Sequence, residues 1–200
     1  MLLKGLVSSM EKLNLLIVGV GGQGTLLASR ILGTVALKMN FDVKVSEVHG
    51  MSQRGGSVET YVKFGKKIYS PLVGKGEADL IIAFEKLEAL RWVDYLTEDG
   101  KMIINEQEID PMPVIIGKVK YPENITSTLK ETHHVYSLDA LKIASQCGTT
   151  KAVNIVLLGV MCRLTGIDKK IFLEAINEVV PAKVLAVNLK AFEEGYNYHK

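Results

Sequence analysis

Leu13 to Val20 is an apolar run closed by glycines, the pattern of a strand buried on both faces. From Gln23 to Met39 the apolar positions recur at helical spacing, with Leu26, Leu27, Ile31, Leu32, Val35 and Ala36 on one side. Phe41 to Val48 alternates as a second strand. Strand, tight glycine turn, helix and strand compose a βαβ unit, which predicts a right-handed crossover into a parallel sheet. Ser57 to Phe64 alternates again, and Gly65-Lys66-Lys67 predicts a hairpin turn into Ile68-Tyr69. Asp79 to Phe84 reads as another buried strand, followed by a helix from Glu85 to about Leu96. Lys101 to Asn105 repeats the strand pattern after an Asp99-Gly100 turn.

The proline-bearing stretch Asp110 to Tyr121 predicts an edge strand or an irregular crossing, with Lys118 and Lys120 alternating outward as guards against edge pairing. His134 to Ser137 adds a last strand before a helix from Leu138. Three further helices are predicted at Asn154–Leu164, Lys169–Val179 and Lys183 to about Tyr196, with Gly166 and Pro181 as punctuation. The pattern gives an α/β fold: a Rossmann-like, mostly parallel sheet flanked by helices, with a helical C-terminal portion. One domain is expected over residues 1–200, with residues 1–12 a loosely ordered N-terminal extension.

Composition narrows the function. The chain is 48% apolar and 23% charged, the balance of a globular protein that buries a core. Its net charge is +2, and basic and acidic residues are interspersed rather than gathered into a stripe, which argues against nucleic-acid binding. No run approaches the roughly 18 apolar residues of a membrane helix. The N-terminal residues show no export leader, so a cytoplasmic protein is expected. Cys147 and Cys162 are the only cysteines and lie in apolar helical contexts. Two thiols without a CxxC cannot supply the four ligands an iron–sulfur cluster commonly takes, so buried free thiols are expected and any redox metal belongs on another chain.

The first candidate site is Gly19-Val20-Gly21-Gly22-Gln23-Gly24. A helix N-terminus leaves N–H groups unpaired and carries partial positive charge, and a preceding turn without side chains lets an anion approach them. Gly19, Gly21 and Gly24 match GxGxxG between a strand and a helix, the context that the pattern requires. Gln23 adds an amide. A turn that only links strand to helix is the bland alternative. A nicotinamide dinucleotide would also want an acid about 20 residues on; Glu47 lies near that place, but no hydride-transfer constellation accompanies it.

The second is Ser46 to Ser57, SEVHGMSQRGGS, which follows the second strand and so belongs at the same carboxyl edge of the sheet, where ligands of open α/β folds bind. His49, Ser52, Gln53, Arg54, Gly55, Gly56 and Ser57 bring an imidazole, an amide, a guanidinium, hydroxyls and free backbone into one segment. Arg54 is suited to bidentate contact with a phosphate or carboxylate. A polar surface loop is the bland alternative here.

Together GVGGQGTLLASRILG (Gly19 to Gly33) and SEVHGMSQRGGSV (Ser46 to Val58) resemble the gamma-domain family of pyruvate/2-ketoacid:ferredoxin oxidoreductases. The resemblance continues through Ala78–Arg91, Asn154–Gly159 and Asn188–Tyr196, and Val20 with His49-Gly50-Met51 favours the indolepyruvate branch. It implies a subunit of an enzyme that oxidatively decarboxylates a 2-oxoacid with coenzyme A to acyl-CoA, CO2 and reduced ferredoxin. Thiamine diphosphate, Mg and [4Fe-4S] clusters would sit on a large alpha subunit, none of them tightly bound on this chain. Partners implied are that subunit, ferredoxin through the holoenzyme, and a second copy when the chain is isolated. The cofactor-facing residues would be Gly19, Gly21, Gly22, Gln23 and Gly24 with Glu47, His49 and Ser52 to Ser57, and no catalytic residue is assigned. A stand-alone nucleotide-dependent oxidoreductase and a non-catalytic ligand-binding module are the competing readings.

Other residues carry blander readings. His133 and His134 are adjacent in a strand and point to opposite faces, so they do not share a metal ion. Trp92 and Tyr95 read as core or subunit interface. Glu85 and Glu88 open a helix, where carboxylates suit the macrodipole.

Overall fold

The computed structural model describes residues 11–50 and 55–198. Regular structure begins with β1 (Lys12–Val20), whose residues Leu13 to Val20 are buried. Alternate side chains divide between two cores: Leu15 and Ile17 face one, Leu16 and Val18 the other. The run is continuous because both faces are covered. α1 (Thr25–Lys38) packs Ala28, Ile31, Leu32, Val35 and Ala36 on the first face. β2 (Asp42–His49) and β3 (Ser57–Gly65) follow.

The sheet order is β2-β3-β1-β4-β5-β6, with β4 (Ala78–Ala83), β5 (Leu96–Asn105) and β6 (His134–Leu138). β1, β4, β5 and β6 are parallel neighbours. β3 runs antiparallel to both β1 and β2, so β2 points the same way as β1 without touching it. The expected βαβ unit therefore exists in direction but not in pairing. The chain leaves β2 through a hairpin loop, and the returning strand takes the place beside β1, pairing along its whole length from Lys12↔Gly65 to Val20↔Ser57.

Three local expectations are corrected. Residues 66–69 make no second arm of a hairpin; the Ile68 N–H donates to Asp42 Oδ2 at 3.0 Å and its side chain is buried in the core. Asp99-Gly100 is not a turn between elements but part of an irregular stretch of β5, where the register against β4 shifts between Ala78 and Leu80. Asp110–Tyr121 takes the irregular alternative and not the edge strand: it holds a one-turn helix, α3 (Met112–Ile115), in an irregular loop, so Lys118 and Lys120 guard no strand edge. Pro111 and Pro113 favour a helix start there, since neither has an N–H for a sheet ladder to use. The helix after β4 is also shorter than expected: α2 (Lys86–Trp92) passes through a 3-10 turn, Val93–Tyr95, into β5.

α2 and α4 (Ile125–Thr132) cover one face of the sheet, and α1 with the C-terminal helices covers the other. These are α5 (Ala140–Cys147), α6 (Val153–Thr165), α7 (Lys169–Val179) and α8 (Ala182–Tyr196). Asp139 and Asp168 side chains accept first-turn N–H groups of α5 and α7, and left-handed Gly148 and Gly166 end α5 and α6. α6 is buried all round from Val153 to Cys162 because α8 lies directly against it. A Cβ on Gly195 would overlap the Val156 carbonyl oxygen, and one on Gly159 would overlap the Phe192 carbonyl oxygen, so the two backbones touch at this crossing. Among the described residues, no helix is long and apolar enough to cross a membrane.

Candidate functional site

The glycine turn links β1 to α1 and owes much of its composition to packing. Gly22 (φ +101°) and Gly24 (φ +86°) occupy left-handed backbone that side chains resist. A Cβ on Gly19 would lie 2.8 Å from Gln23 Oε1 and 3.1 Å from Phe84 Cβ. One on Gly24 would lie 2.8 Å from Asn154 Nδ2, the atom that donates to the Gly24 carbonyl at 3.1 Å. Gln23 stitches the turn to its neighbours: Oε1 accepts from the Val20 N–H at 2.7 Å, and Nε2 donates to the Phe84 carbonyl at 3.1 Å and to Gln107 Oε1 at 3.3 Å. Its amide is thus engaged within the chain. Above Gly22, by contrast, there is open space.

The second segment meets the first. The Gly21 N–H donates to the Gly56 carbonyl at 2.9 Å, tying the exit of the His49–Ser57 segment to the turn. His49 pairs with Val58 across the two strands that carry the segment. Gly55 is left-handed (φ +77°). Ser52, Gln53 and Arg54 lie outside the described residues.

Between the two segments is a cleft of about 360 Å³ lined by Gly21, Gly22, Gly24, Thr25, Leu26, Glu47, His49 and Val58. The first-turn N–H groups of α1 are of the kind a helix start leaves unpaired. Glu47 sits beside them: its Oε2 accepts from Thr60 Oγ1 at 3.1 Å and from Thr25 Oγ1 at 3.4 Å. A carboxylate beside a helix N-terminus repels an anion placed against it and accepts hydroxyl donors. The cleft therefore offers N–H donors at the glycine turn and a hydroxyl acceptor at Glu47, whose charge opposes an anion placed close to it. Among its described lining residues there is no Lys or Arg.

Sequence reasoning missed the residues on the other side of the turn. A second cavity of about 480 Å³ runs from Gly22, Gln23 and Gly24 to Gln107, Thr150, Lys151 and Asn154. Lys151, just before α6, brings a cation to this second cavity. No local signal marks this side, because the Asn154–Gly24 hydrogen bond that closes it joins segments 130 residues apart.

Glu85 and Glu88 do start α2, but both are 1% exposed, which a role at the dipole does not require. Glu85 caps the helix by accepting the Glu88 N–H at 2.9 Å, and its other oxygen accepts the Ile109 N–H at 3.1 Å and the Tyr121 hydroxyl. Burial, then the hydrogen-bonded Glu85 carboxylate, pushes the Tyr121 phenol well above its ordinary range. Glu88 pairs with Arg91 Nη1 at 2.5 Å and accepts the Ser57 hydroxyl at 2.5 Å, so it anchors the foot of the second segment. Burial, then the charge of Glu88, raises the Glu59 carboxyl next to it.

Cys147 and Cys162 are buried in α5 and α6, and burial pushes the Cys162 thiol up to about 12, against the thiolate a metal ligand needs. Among the described residues, no three His, Cys, Asp or Glu side chains gather to hold a metal ion. His133 ends α4 with Nδ1 2.8 Å from Thr132 Oγ1, and His134 opens β6. Trp92 and Tyr95 pack on each other with ring centroids 4.7 Å apart, half-buried against the second core.

The model of the pyruvate ferredoxin/flavodoxin oxidoreductase family matches residues 14–198. The indolepyruvate oxidoreductase subunit IorB of Pyrococcus horikoshii is 41% identical over 192 residues, covering 93% of this chain and 95% of that one. The crystal structure of pyruvate oxidoreductase subunit PORC from Thermotoga maritima superposes with a TM-score of 0.74 at 22% identity, over 95% of this chain and 98% of that one. The 2-oxoglutarate:ferredoxin oxidoreductase of Magnetococcus marinus, solved with 2-oxoglutarate, coenzyme A and succinyl-CoA bound, matches with a TM-score of 0.73 at 18% identity. That match covers 94% of this chain and 31% of the longer one.

Proposed function

The chain belongs to the pyruvate ferredoxin/flavodoxin oxidoreductase family, and from that premise we propose that it is the small, cofactor-poor subunit of a 2-oxoacid:ferredoxin oxidoreductase acting on indolepyruvate or a related aryl pyruvate. Thiamine diphosphate with Mg and the [4Fe-4S] clusters, carried by the large subunit, supply decarboxylation and electron transfer to ferredoxin, and coenzyme A takes the acyl group. This chain's share is to close the active site and present an anion-binding edge.

The observation that carries the reading is the bond from the Gly21 N–H to the Gly56 carbonyl, which makes the two segments a single edge. Coenzyme A offers a partner for each side of the cleft. Its phosphates match the N–H groups at the start of α1, and its ribose offers a hydroxyl to Glu47. Arg54 is the charge partner of the anion, and Lys151 stands behind the turn. In the reconstituted two-subunit enzyme, Arg54→Ala should raise the apparent KM for coenzyme A or the 2-oxoacid roughly tenfold, as expected for losing a charge-assisted bidentate contact. Unchanged kinetics would sink the assignment.

Glu47 beside the glycine turn also favours a second reading, a stand-alone nucleotide-dependent oxidoreductase. Saturable NAD(H) binding by the isolated chain supports that one. Reduction of a dye by the 2-oxoacid only after the large subunit is added supports the first.

A further inference from the structure

Four of the twelve exposed large hydrophobic residues among those described lie within eight positions: Met112 (66% exposed), Ile115 (65%), Ile116 (54%) and Val119 (55%). They stand on the loop between Ile109 and Tyr121, and the loop is not slack. Its first foot donates the Ile109 N–H to Glu85, and its last donates the Tyr121 hydroxyl to the same buried carboxylate. The Tyr121 oxygen in turn accepts the Leu87 N–H at 3.1 Å. Within the loop, the Pro111 carbonyl accepts from Val114 and the Pro113 carbonyl from Lys118, both closely. A clasped, internally bonded loop that holds bulky side chains in water has the character of a preformed anchor rather than a frayed tip.

Its position is equally specific. The loop begins where Gln107 takes hydrogen bonds from Gln23 of the glycine turn and from Asn105 at the end of β5. It therefore rises from the same carboxyl edge as the cleft. Lys118 and Lys120, both exposed, follow the apolar residues, and neither pairs with a carboxylate among the described residues.

We propose that the 110–120 loop is the element that docks this chain onto the large subunit, its apolar side chains entering an apolar groove whose rim is acidic. The occupant rests on the functional reading above. A second copy fits less well, because a two-fold contact through this loop would gather Lys118 and Lys120 of both protomers into one small interface with no carboxylate on the loop between Pro111 and Tyr121 to offset them.

The test uses the full chain and the large subunit of the same enzyme, with the dissociation constant measured by sedimentation or a surface-binding assay. Ile115→Asp should raise it about tenfold or more, as expected for loss of an interface anchor. The double reversal Lys118→Glu with Lys120→Glu should weaken binding and flatten its salt dependence. Leu37→Asp, equally exposed at the far end of α1, should leave it unchanged. All three isolated variants should melt as the parent does. Parent-like binding by Ile115→Asp overturns the proposal, as does loss of only a self-association of the isolated chain. Failure of the parent chain itself to bind the large subunit would instead overturn the functional reading, and this one with it.

Discussion

Alanine in place of a helical glycine ordinarily stabilises a protein by about 1 kcal/mol. At Gly195 the sign should reverse. A methyl group there overlaps the Val156 carbonyl oxygen and stands 2.8 Å from the Val156 carbonyl carbon and 3.0 Å from its Cα. Carbon atoms in favourable contact are about 3.5–4.0 Å apart, so α6 and α8 must separate by roughly 1 Å. All three contacted atoms are backbone, and no rotamer change relieves them. Overpacking typically costs about 1–3 kcal/mol, and this site belongs at the upper end. Subtracting the gain in helix propensity leaves about 2 kcal/mol of destabilisation. For a chain of this size each kcal/mol is worth about 2–4 °C, so Gly195→Ala should lower the Tm by about 4–8 °C in calorimetry or helix-monitored melting. Gly33, in the middle of α1, is the matched control, because a methyl group there would meet no atom within 4 Å. Gly33→Ala should raise the Tm by about 2–4 °C. If Gly195→Ala melts at or above the parent temperature, the close crossing of α6 and α8 is not what organises the C-terminal layer.

Two further outcomes are expected. The raised Glu59 carboxyl means that the native state holds a proton the unfolded chain has released just above pH 4.5, so stability falls as pH rises through that window. Glu59→Gln should therefore raise the Tm at pH 7 and lose that advantage near pH 4; an equal gain at both pH values would contradict the assigned cause. Burial raises both thiols, so neither Cys147 nor Cys162 should react with a thiol reagent at pH 8 within the time that labels both in denaturant. Rapid native labelling of Cys162 would show that α6 is more open than its burial indicates.

The parts of the fold that could be read in advance are those in which burial writes itself onto consecutive residues. β1 lies between two covered faces and so is apolar throughout, and α1 shows the stripe it buries. The position of β3 could not be read, because Ser57–Phe64 alternates in the same way whether its neighbour is β1, β2 or both. The loop at 110–120 defeated the pattern for another reason: two prolines and four exposed apolar residues give no periodicity, and its order comes from Glu85, more than twenty positions away. In the candidate site the glycines and Glu47 were visible as local motif and spacing. Lys151 and Asn154 were not, since only the docking of α6 on the turn brings them there. Glu88 was seen as a helix-start carboxylate, but its burial beneath Ser57 depends on a strand thirty-one residues earlier.

The placement of β3 beside β1 has a consequence for how such a protein changes over time. Both feet of the segment that follows β2 stand on one antiparallel ladder, fixed by His49↔Val58. Residues between those feet can be lengthened, shortened or exchanged without re-registering a strand. The edge is in effect a cassette, in which one short stretch of chain can be replaced while the scaffold beneath it stays as it is.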